Sequence, residues 1–276
     1  MRELKNKVIV VTGAGSGIGR ALVLHAASRG MRVVLADIDT GRLAAVLEEV
    51  RALGVEAIGV EVDVGKAPSV EELAARAYAA FGAVHVLVNN AGIAVAGAAW
   101  TLPLETWTKV LDINLYGVVH GVHSFLPRML AGGEPGHVVN VASAAGLITV
   151  PGFAAYSASK YGVVGLSEAL FHDLKVRKAA VGASVLCPSW VQTRIAHDSL
   201  VVDSDAVDNS VNAAVAKAVE HGITAESVAE RVFHAIESEV FYIVTHDDTR
   251  RAVQVRNDDI QQDRAPTMAV FERKKS

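Results

Sequence analysis

Tyr156 and Lys160 stand four residues apart, so on a helix they share one face. Ser143 lies thirteen residues before the tyrosine. An apolar, β-type run at His137–Ala142 ends in that serine, a loop with Pro151 and Gly152 follows, and an almost uncharged helix then opens with Tyr156 and Lys160. Serine and tyrosine thus sit on different elements, and the chain must bend back for them to meet. Together the three make a proton donor, a cation that tunes it, and a hydroxyl that holds a substrate oxygen and its developing charge. To serve as acid and base near neutrality a tyrosine must fall from ~10 toward ~7, roughly 4 kcal/mol. A lysine cation about 4 Å away at an effective dielectric of ~20 supplies on the order of 4 kcal/mol. The expectation is therefore that Lys160 pulls Tyr156 down.

A second set of residues suits a phosphate-bearing ligand. The apolar run Lys7–Val11 leads into Gly13-Ala-Gly-Ser-Gly17-Ile-Gly19 and then a helix over Arg20–Arg29. Gly13 permits the tight turn, and Gly17 and Gly19 let backbone and helix N-terminus approach a pyrophosphate that the helix dipole favours. Asp37 ends the next apolar run, Met31–Ala36. A carboxylate there can bind both ribose hydroxyls of NAD and would repel a 2′-phosphate. Two rival chemistries are weak. No G-x-S-x-G elbow surrounds a serine nucleophile, and Cys187 lies between an apolar run and Pro188, a place for a small buried side chain rather than a nucleophile. No metal-ligand cluster is apparent.

The elements that must position these groups follow in order. Helical spacing marks Thr40–Leu53, an apolar run marks Glu56–Val62, and Ser69-Val-Glu-Glu72 reads as a capping box opening a helix that ends near Phe81-Gly82. Val84–Val88 runs into Asn89-Asn-Ala-Gly92, whose Asn amides can tie neighbouring strands together. Leu104–Leu130 is a long helical segment interrupted by Asp112-Ile-Asn114-Leu-Tyr-Gly117, and the cost of Asn and Gly inside a helix suggests a kink or a function. Ala183–Cys187, Thr224–Glu237 and an edge strand at Phe241–Val244 complete the series. Strands joined by helices are parallel with right-handed crossovers. The expected fold is α/β, a Rossmann-type doubly wound, mostly parallel seven-stranded sheet with helices on both faces. The Gly turn, Asp37, Asp63, Asn89, Ser143 and Pro188 all fall at the carboxyl ends of strands, where such sheets bind ligands.

Ser143, Tyr156-Ser-Ala-Ser-Lys160, Thr12-Gly-Ala-Gly-Ser-Gly-Ile-Gly19 and Asn89-Asn-Ala-Gly92 occur together in order. In these the sequence resembles the short-chain dehydrogenase/reductase family, in its shorter single-domain branch, from about Lys5 to Val244. The resemblance implies an NAD-dependent oxidoreductase that interconverts a secondary alcohol and a ketone. The catalytic residues would be Asn114, Ser143, Tyr156 and Lys160, with Asn114 bending its helix and holding a water that connects Lys160 to solvent. The cofactor contacts it implies are Gly13, Ser16, Gly17, Ile18, Gly19, Asp37, Ile38, Asp63, Val64, Asn90, Ala91, Gly92, Tyr156, Lys160, Pro188, Val191 and Thr193. Ser16 stands where NADP-using relatives often carry a basic residue, which supports NAD. Asp63 could equally be a helix cap. Pro188-Ser-Trp-Val-Gln-Thr193 resembles the family's PG-x-V-x-T turn, with Ser189 where glycine is usual, so either Ser189 is strained or the loop has shifted. Alternatives are a non-catalytic dinucleotide-binding sensor or scaffold, an NADPH-dependent carbonyl reductase, and an epimerase or dehydratase, which normally carries a larger substrate domain.

The chain has 276 residues and a net charge of −4, which argues against nucleic acid or anionic membrane partners. Hydrophobic residues make up 51%, enough for a well-buried core, yet no apolar run reaches the ~18 residues of a membrane span. Cys187 is the only cysteine. The basic start Met1–Lys7 runs straight into the first strand, so no signal peptide and a cytoplasmic protein are expected. The organisation expected is one dinucleotide-binding catalytic domain over 1–250, a substrate lid at about 194–222 with a helical stretch at Val207–Val219, and a C-terminal extension over 251–276 with a loose end. Ala94, Ala145, Leu147, Phe153, Trp190 and Leu200 are candidate pocket residues and suggest a mostly apolar alcohol or ketone. One face of the Tyr156 helix carries Ala158, Tyr161, Gly165, Ala169, His172 and Val176. Small residues there predict a homodimer or homotetramer through helices 104–130 and 156–178.

Overall fold

The structure, a computed structural model, describes residues 1, 3–193, 200–201 and 217–268. Strands β1 (Val8–Thr12), β2 (Arg32–Asp37) and β3 (Ala57–Glu61) alternate with helices α1 (Gly17–Ser28), α2 (Thr40–Ala52) and α3 (Ala67–Phe81). Then come β4 (Val86–Asn89), the short β5 (Val95–Ala96), α4 (Leu104–Leu111), α5 (Gly117–Gly132), β6 (Gly136–Val141) and α6 (Ala154–Val176). The chain continues through β7 (Val181–Cys187), β8 (Leu200–Val201), α7 (Ala225–Ser238), β9 (Tyr242–Val244) and α8 (Asp247–Gln261). Seven strands form one sheet in the order β3-β2-β1-β4-β6-β7-β9, and every neighbouring pair is parallel. This is the expected doubly wound α/β sheet, and β9 is its expected edge strand. β5 and β8 form a separate two-residue parallel pair.

Strand residues alternate between the two faces because successive side chains point to opposite sides. Ile9, Val11, Val33, Leu35, Val86 and Val88 pack with α1, α2 and α7 residues such as Leu22, Val46 and Phe233. Val8, Val10, Val34, Val60, Leu87 and Val138 pack with α3, α5 and α6 residues such as Leu73, Phe125 and Leu170. Both faces are covered, which explains why the strands read as unbroken apolar runs.

The sheet is also stitched by polar groups. Asn89 Nδ2 donates to Asn140 Oδ1 at 2.9 Å, Asn140 Nδ2 to Ser167 Oγ at 3.0 Å, and Ser167 Oγ to Val163 O at 2.7 Å. Asn89 thus ties β4 to β6, and Asn140 ties β6 to α6. At the opposite end of the strands His85 Nδ1 accepts from Val8 N–H, and Glu134 pairs with both His85 and Lys7.

One local expectation is corrected. α3 begins at Ala67, before the supposed capping box, because Pro68 presets its first turn. Ser69 Oγ accepts instead from Asp63 N–H, at 3.1 Å. In the C-terminal extension, Arg256 of α8 lies over the Tyr161 ring, 5.3 Å from its centroid. The helical stretch expected at Val207–Val219 and the loose end of the chain lie largely outside the described residues. No described helix is long and apolar enough to cross a membrane.

Gly121 tests the polar stitching. A Cβ there would stand 2.0 Å from Asn89 Oδ1. Glycine-to-alanine changes inside helices normally stabilise by about 1 kcal/mol. Gly121→Ala is expected to reverse that sign and cost about 1–3 kcal/mol through overpacking. Thermal unfolding of the variant beside the wild type measures it, and a raised melting temperature would show that Asn89 moves freely.

Candidate active site

The glycine turn after β1 is shaped by contacts a side chain would destroy. Gly13 has φ +66° and packs on Ala91, so that a Cβ would sit 2.9 Å from Ala91 Cα. A Cβ on Gly19 would stand 2.0 Å from Gly13 O. Gly17, at φ +52°, faces Thr193 across the cleft. Ser16, the N-cap of α1, is extended and makes no side-chain capping bond, and no acidic residue lies in the first turn. The positive end of the helix is thus open to an anionic group. Arg20 is committed to Glu49 rather than to this end. A groove of about 490 Å³ runs beside it, bordered by Gly17, Gln192, Thr193 and Glu226 among others. Ile18 is half-buried against the core.

Asp37, at the end of β2, accepts from Gly15 N–H through Oδ2 at 2.8 Å and from Asp39 N–H through Oδ1 at 2.9 Å. Each oxygen keeps lone pairs for a ribose hydroxyl. Ile38 beside it is 64% exposed, free to cover a ligand. Asp63 behaves as a turn residue: Oδ1 accepts from Gly65 N–H, and Oδ2 pairs with Lys66. Val64 is buried against Gly117. Asn90 Nδ2 donates to Thr12 O at 2.9 Å and Gly13 O at 3.2 Å, while Thr12 Oγ1 accepts from the N–H groups of Asn90 and Ala91. Thr12 is a residue that sequence reading quoted without assigning it a task. Its position directly before Gly13, at a strand end, was the available signal.

Ser143, Tyr156 and Lys160 converge beyond the carboxyl ends of β6 and β7. Ser143 Oγ accepts from Ala145 N–H at 3.1 Å and reaches Pro188 O at 3.4 Å. Tyr156 occupies the first turn of α6, edge-on to Phe153, and hydrogen-bonds Ser143. Lys160, 3% exposed, donates from Nζ to Val141 O at 2.9 Å. Its Nζ is 5.8 Å from the centre of the Tyr156 ring. A Cβ on Gly92 would lie 3.4 Å from that Nζ, so the glycine leaves the ammonium one open side.

The expected electrostatics are corrected here. Burial raises the Tyr156 phenol above its ordinary value, and the Ser143 hydrogen bond offsets only part of this. Burial also lowers Lys160 to about 8. In the chain alone desolvation disfavours both charged forms, and the net shift of the tyrosine is upward.

Asn114 lies in a π-helical turn, Asp112–Tyr116, between α4 and α5, which is where the helix-breaking composition is accommodated. Its Oδ1 accepts from Ile93 N–H at 2.8 Å, and its Nδ2 donates to Ile93 O at 2.9 Å and Ser159 Oγ at 3.1 Å. Both Nδ2 hydrogens are therefore taken, so a water on this residue would use other groups. Ser159, another residue not singled out from sequence, passes its own proton to Tyr156 O at 2.6 Å.

Pro188 and Val191 are buried, and the turn that carries them is pinned by Ile223 N–H to Trp190 O and by Gln192 N–H to Ile223 O. Ser189 is absent from the residues with positive φ, so it carries no left-handed strain. Cys187 is buried and its thiol is pushed up to about 12, which removes it as a nucleophile. Of the pocket candidates, Ala145 is buried, Ala94, Phe153 and Trp190 are partly covered, and Leu147 packs on the core beside Val163. The side chain of Leu200 lies outside the described residues.

Strand order, glycine turn and the serine–tyrosine–lysine cluster define a dinucleotide-fold oxidoreductase. The chain belongs to the short chain dehydrogenase family, whose model matches residues 7–201. A CLA biosynthesis dehydrogenase/reductase of Lactiplantibacillus plantarum is 33% identical, over 99% of both chains. A 1-deoxy-11-beta-hydroxypentalenate dehydrogenase of Streptomyces avermitilis is 36% identical over 90% of this chain and 87% of that one. Among solved structures, a short chain dehydrogenase/reductase from Burkholderia phymatum in complex with NAD superposes with a TM-score of 0.91 at 42% identity, covering 97% of this chain and 98% of that one.

The buried cation yields a prediction. Lys160→Met removes an ammonium that burial disfavours, so the variant should be more stable than the wild type at pH 7, by about 1–3 kcal/mol. The unfolded lysine keeps its proton up to ~10.4, whereas the folded one loses it near about 8. Wild-type stability should therefore rise with pH across that window, and the gap should close. Unfolding midpoints at pH 7 and pH 9.5 check this; a variant less stable at pH 7 would mean the ammonium is well solvated.

Proposed function

We propose that this protein is an NAD-dependent dehydrogenase that interconverts a secondary alcohol and a ketone on a mostly apolar small molecule. The observation that carries the reading is the convergence of Ser143, Tyr156 and Lys160 beside the open N-terminus of α1 and the Asp37 carboxylate. A relative named for the dehydrogenation of a hydroxypentalenate and a neighbour complexed with NAD support it.

The residues fit the cofactor. The uncapped start of α1 would take the pyrophosphate, Asp37 the ribose hydroxyls near the adenine, and Lys160, with two N–H groups beyond its bond to Val141, the ribose next to nicotinamide. Asn90, Ala91, Gly92, Pro188, Val191 and Thr193 would border the cofactor, and Asp63 and Val64 its adenine end. NAD, when bound, supplies the hydride acceptor and, in its oxidised form, a positive charge near the phenol. Ser143 Oγ donates to the substrate oxygen. Tyr156, as phenolate, removes the alcohol proton in oxidation and returns it in reduction. Lys160 holds the phenolate by charge, and the cofactor's own charge supplies what the lysine alone does not. Asn114 acts by fixing the π turn and the backbone at Ile93. Residues Ala158, Gly165, Ala169, His172 and Val176 of α6 are exposed. We read this small, apolar face, with α4 and α5, as the contact between subunits of a dimer or tetramer.

Titration should show tighter binding of NADH than of NADPH. Asp37→Ala should weaken NADH by about 10–100-fold, the worth of hydrogen bonds to a charged group. Tight NADPH binding would overturn the choice of cofactor. Tyr156→Phe should lower turnover of secondary alcohols about 10²–10⁴-fold while NADH binding stays within a few-fold. A near-normal rate would remove the tyrosine from the mechanism. Sedimentation at micromolar concentration should give a dimer or tetramer, and a monomer would refute the α6 contact.

A further inference from the structure

We propose that Thr245 is a positioning residue for the active site and acts through a single peptide group, the one joining Pro188 to Ser189. The inference rests on the reading that the turn from Pro188 to Thr193 borders the nicotinamide.

That peptide is held at both ends. Its carbonyl, Pro188 O, accepts from Ala144 N–H at 2.8 Å and is the group that Ser143 Oγ approaches at 3.4 Å. Its N–H, on Ser189, donates to Thr245 Oγ1 at 3.2 Å. Thr245 is 5% exposed and directly follows β9, whose last residue pairs with Cys187 of β7. The parallel register therefore sets Thr245 beside the first peptide beyond the sheet. The hydroxyl is itself oriented, because Thr245 Oγ1 and His246 Nδ1 are 2.7 Å apart. Burial, aided by the Arg231 charge, lowers His246 below its ordinary value. In the tautomer with Nδ1 unprotonated, the ring accepts a hydrogen bond from the threonine hydroxyl and leaves the oxygen's lone pairs for Ser189.

The consequence reaches Ser143. A hydrogen bond at the N–H end of a peptide strengthens the carbonyl at the other end as an acceptor and fixes the plane of the group. With Pro188 O secured by Ala144, the long contact from Ser143 Oγ leaves the serine proton free to turn to a substrate oxygen. Without the Thr245 hydroxyl, the partly buried Ser189 N–H needs another partner, and the peptide rotates to find one. That rotation moves both the acceptor facing Ser143 and the wall at residues 189–191. Thr245 touches no reacting atom, so its effect is on geometry alone.

The test compares wild type, Thr245→Val and Thr245→Ser by NADH titration, by turnover of a panel of secondary alcohols with NAD, and by thermal unfolding. Thr245→Val keeps the shape and loses the hydroxyl. It should lose about three- to tenfold in both kcat and NADH affinity, and Thr245→Ser should stay within about twofold of wild type. A purely structural role would lower the melting temperature and leave both functional readouts unchanged, which overturns the proposal. If Thr245→Val does not fold, His246→Phe, which releases the threonine hydroxyl, should shift kcat and NADH affinity in the same direction, and unchanged values overturn the proposal. Wild type that binds neither dinucleotide refutes the underlying cofactor reading. Wild type that binds NADH and turns over alcohols, with an unaffected Thr245→Val, refutes this inference alone.

Discussion

A buried ammonium constrains everything near it. Lys160 is almost fully removed from water, and its protein acceptor among the described residues is the Val141 carbonyl at the end of β6. Such a charge is costly unless further partners satisfy it. Gly92 leaves its open side clear, and Asn114 and Ser159 hold the walls in place with bonds that do not involve the lysine. The tyrosine one turn away is shifted in the opposite sense by the same burial. In the chain alone, burial thus shifts both groups against their charged forms. Stability and activity pull against each other at this point.

The site can bear that tension because it hangs from the most rigidly determined part of the fold. Strand order reverses between β1 and β4, so the loops after them diverge to opposite faces and leave a crevice. Thr12 and Asn90 bridge the strand ends there with four hydrogen bonds to backbone groups. Asn89, Asn140 and Ser167 carry the tie onward to α6, the helix that presents Tyr156 and Lys160. A polar seam thus connects the glycine turn to the helix that carries Tyr156 and Lys160.

Much of this was legible in the sequence. The apolar runs marked every strand of the large sheet, since strands covered on both faces cannot hide their composition. The placement of Ser143, Tyr156 and Lys160 followed from spacing and the turn between them. What was not legible depended on distant contacts. The capping box at Ser69 had the right residue types, but Pro68 started the helix earlier. Asn114 stood out as an anomaly, but neither the π turn nor its partners Ile93 and Ser159 are local. The sign of the Tyr156 shift turned on burial, which no spacing reveals. Ser189 looked like a strained substitution only on the assumption that its position requires a left-handed angle, and its backbone does not adopt one. The pairing of Thr245 with Ser189 appears only once β9 lies beside β7.

Asp37 shows how closely ligand selection and architecture are joined. Its carboxylate accepts from Gly15 N–H inside the glycine turn, and a Cβ on Gly15 would lie 2.9 Å from the same oxygen. The same charge draws the turn against the end of β2. Replacing the carboxylate would release the turn from that strand end. Under the proposed NAD reading, a change of cofactor preference would therefore not be a matter of charge alone. It requires a second group that holds Gly15 N–H while leaving room for a phosphate. The crowding at Gly15, whose Cβ position also lies 3.1 Å from Arg42 Cβ, leaves little space for one. The turn and the carboxylate work as a unit, so the preference proposed for an unphosphorylated ribose would be built into the backbone as much as into the side chain.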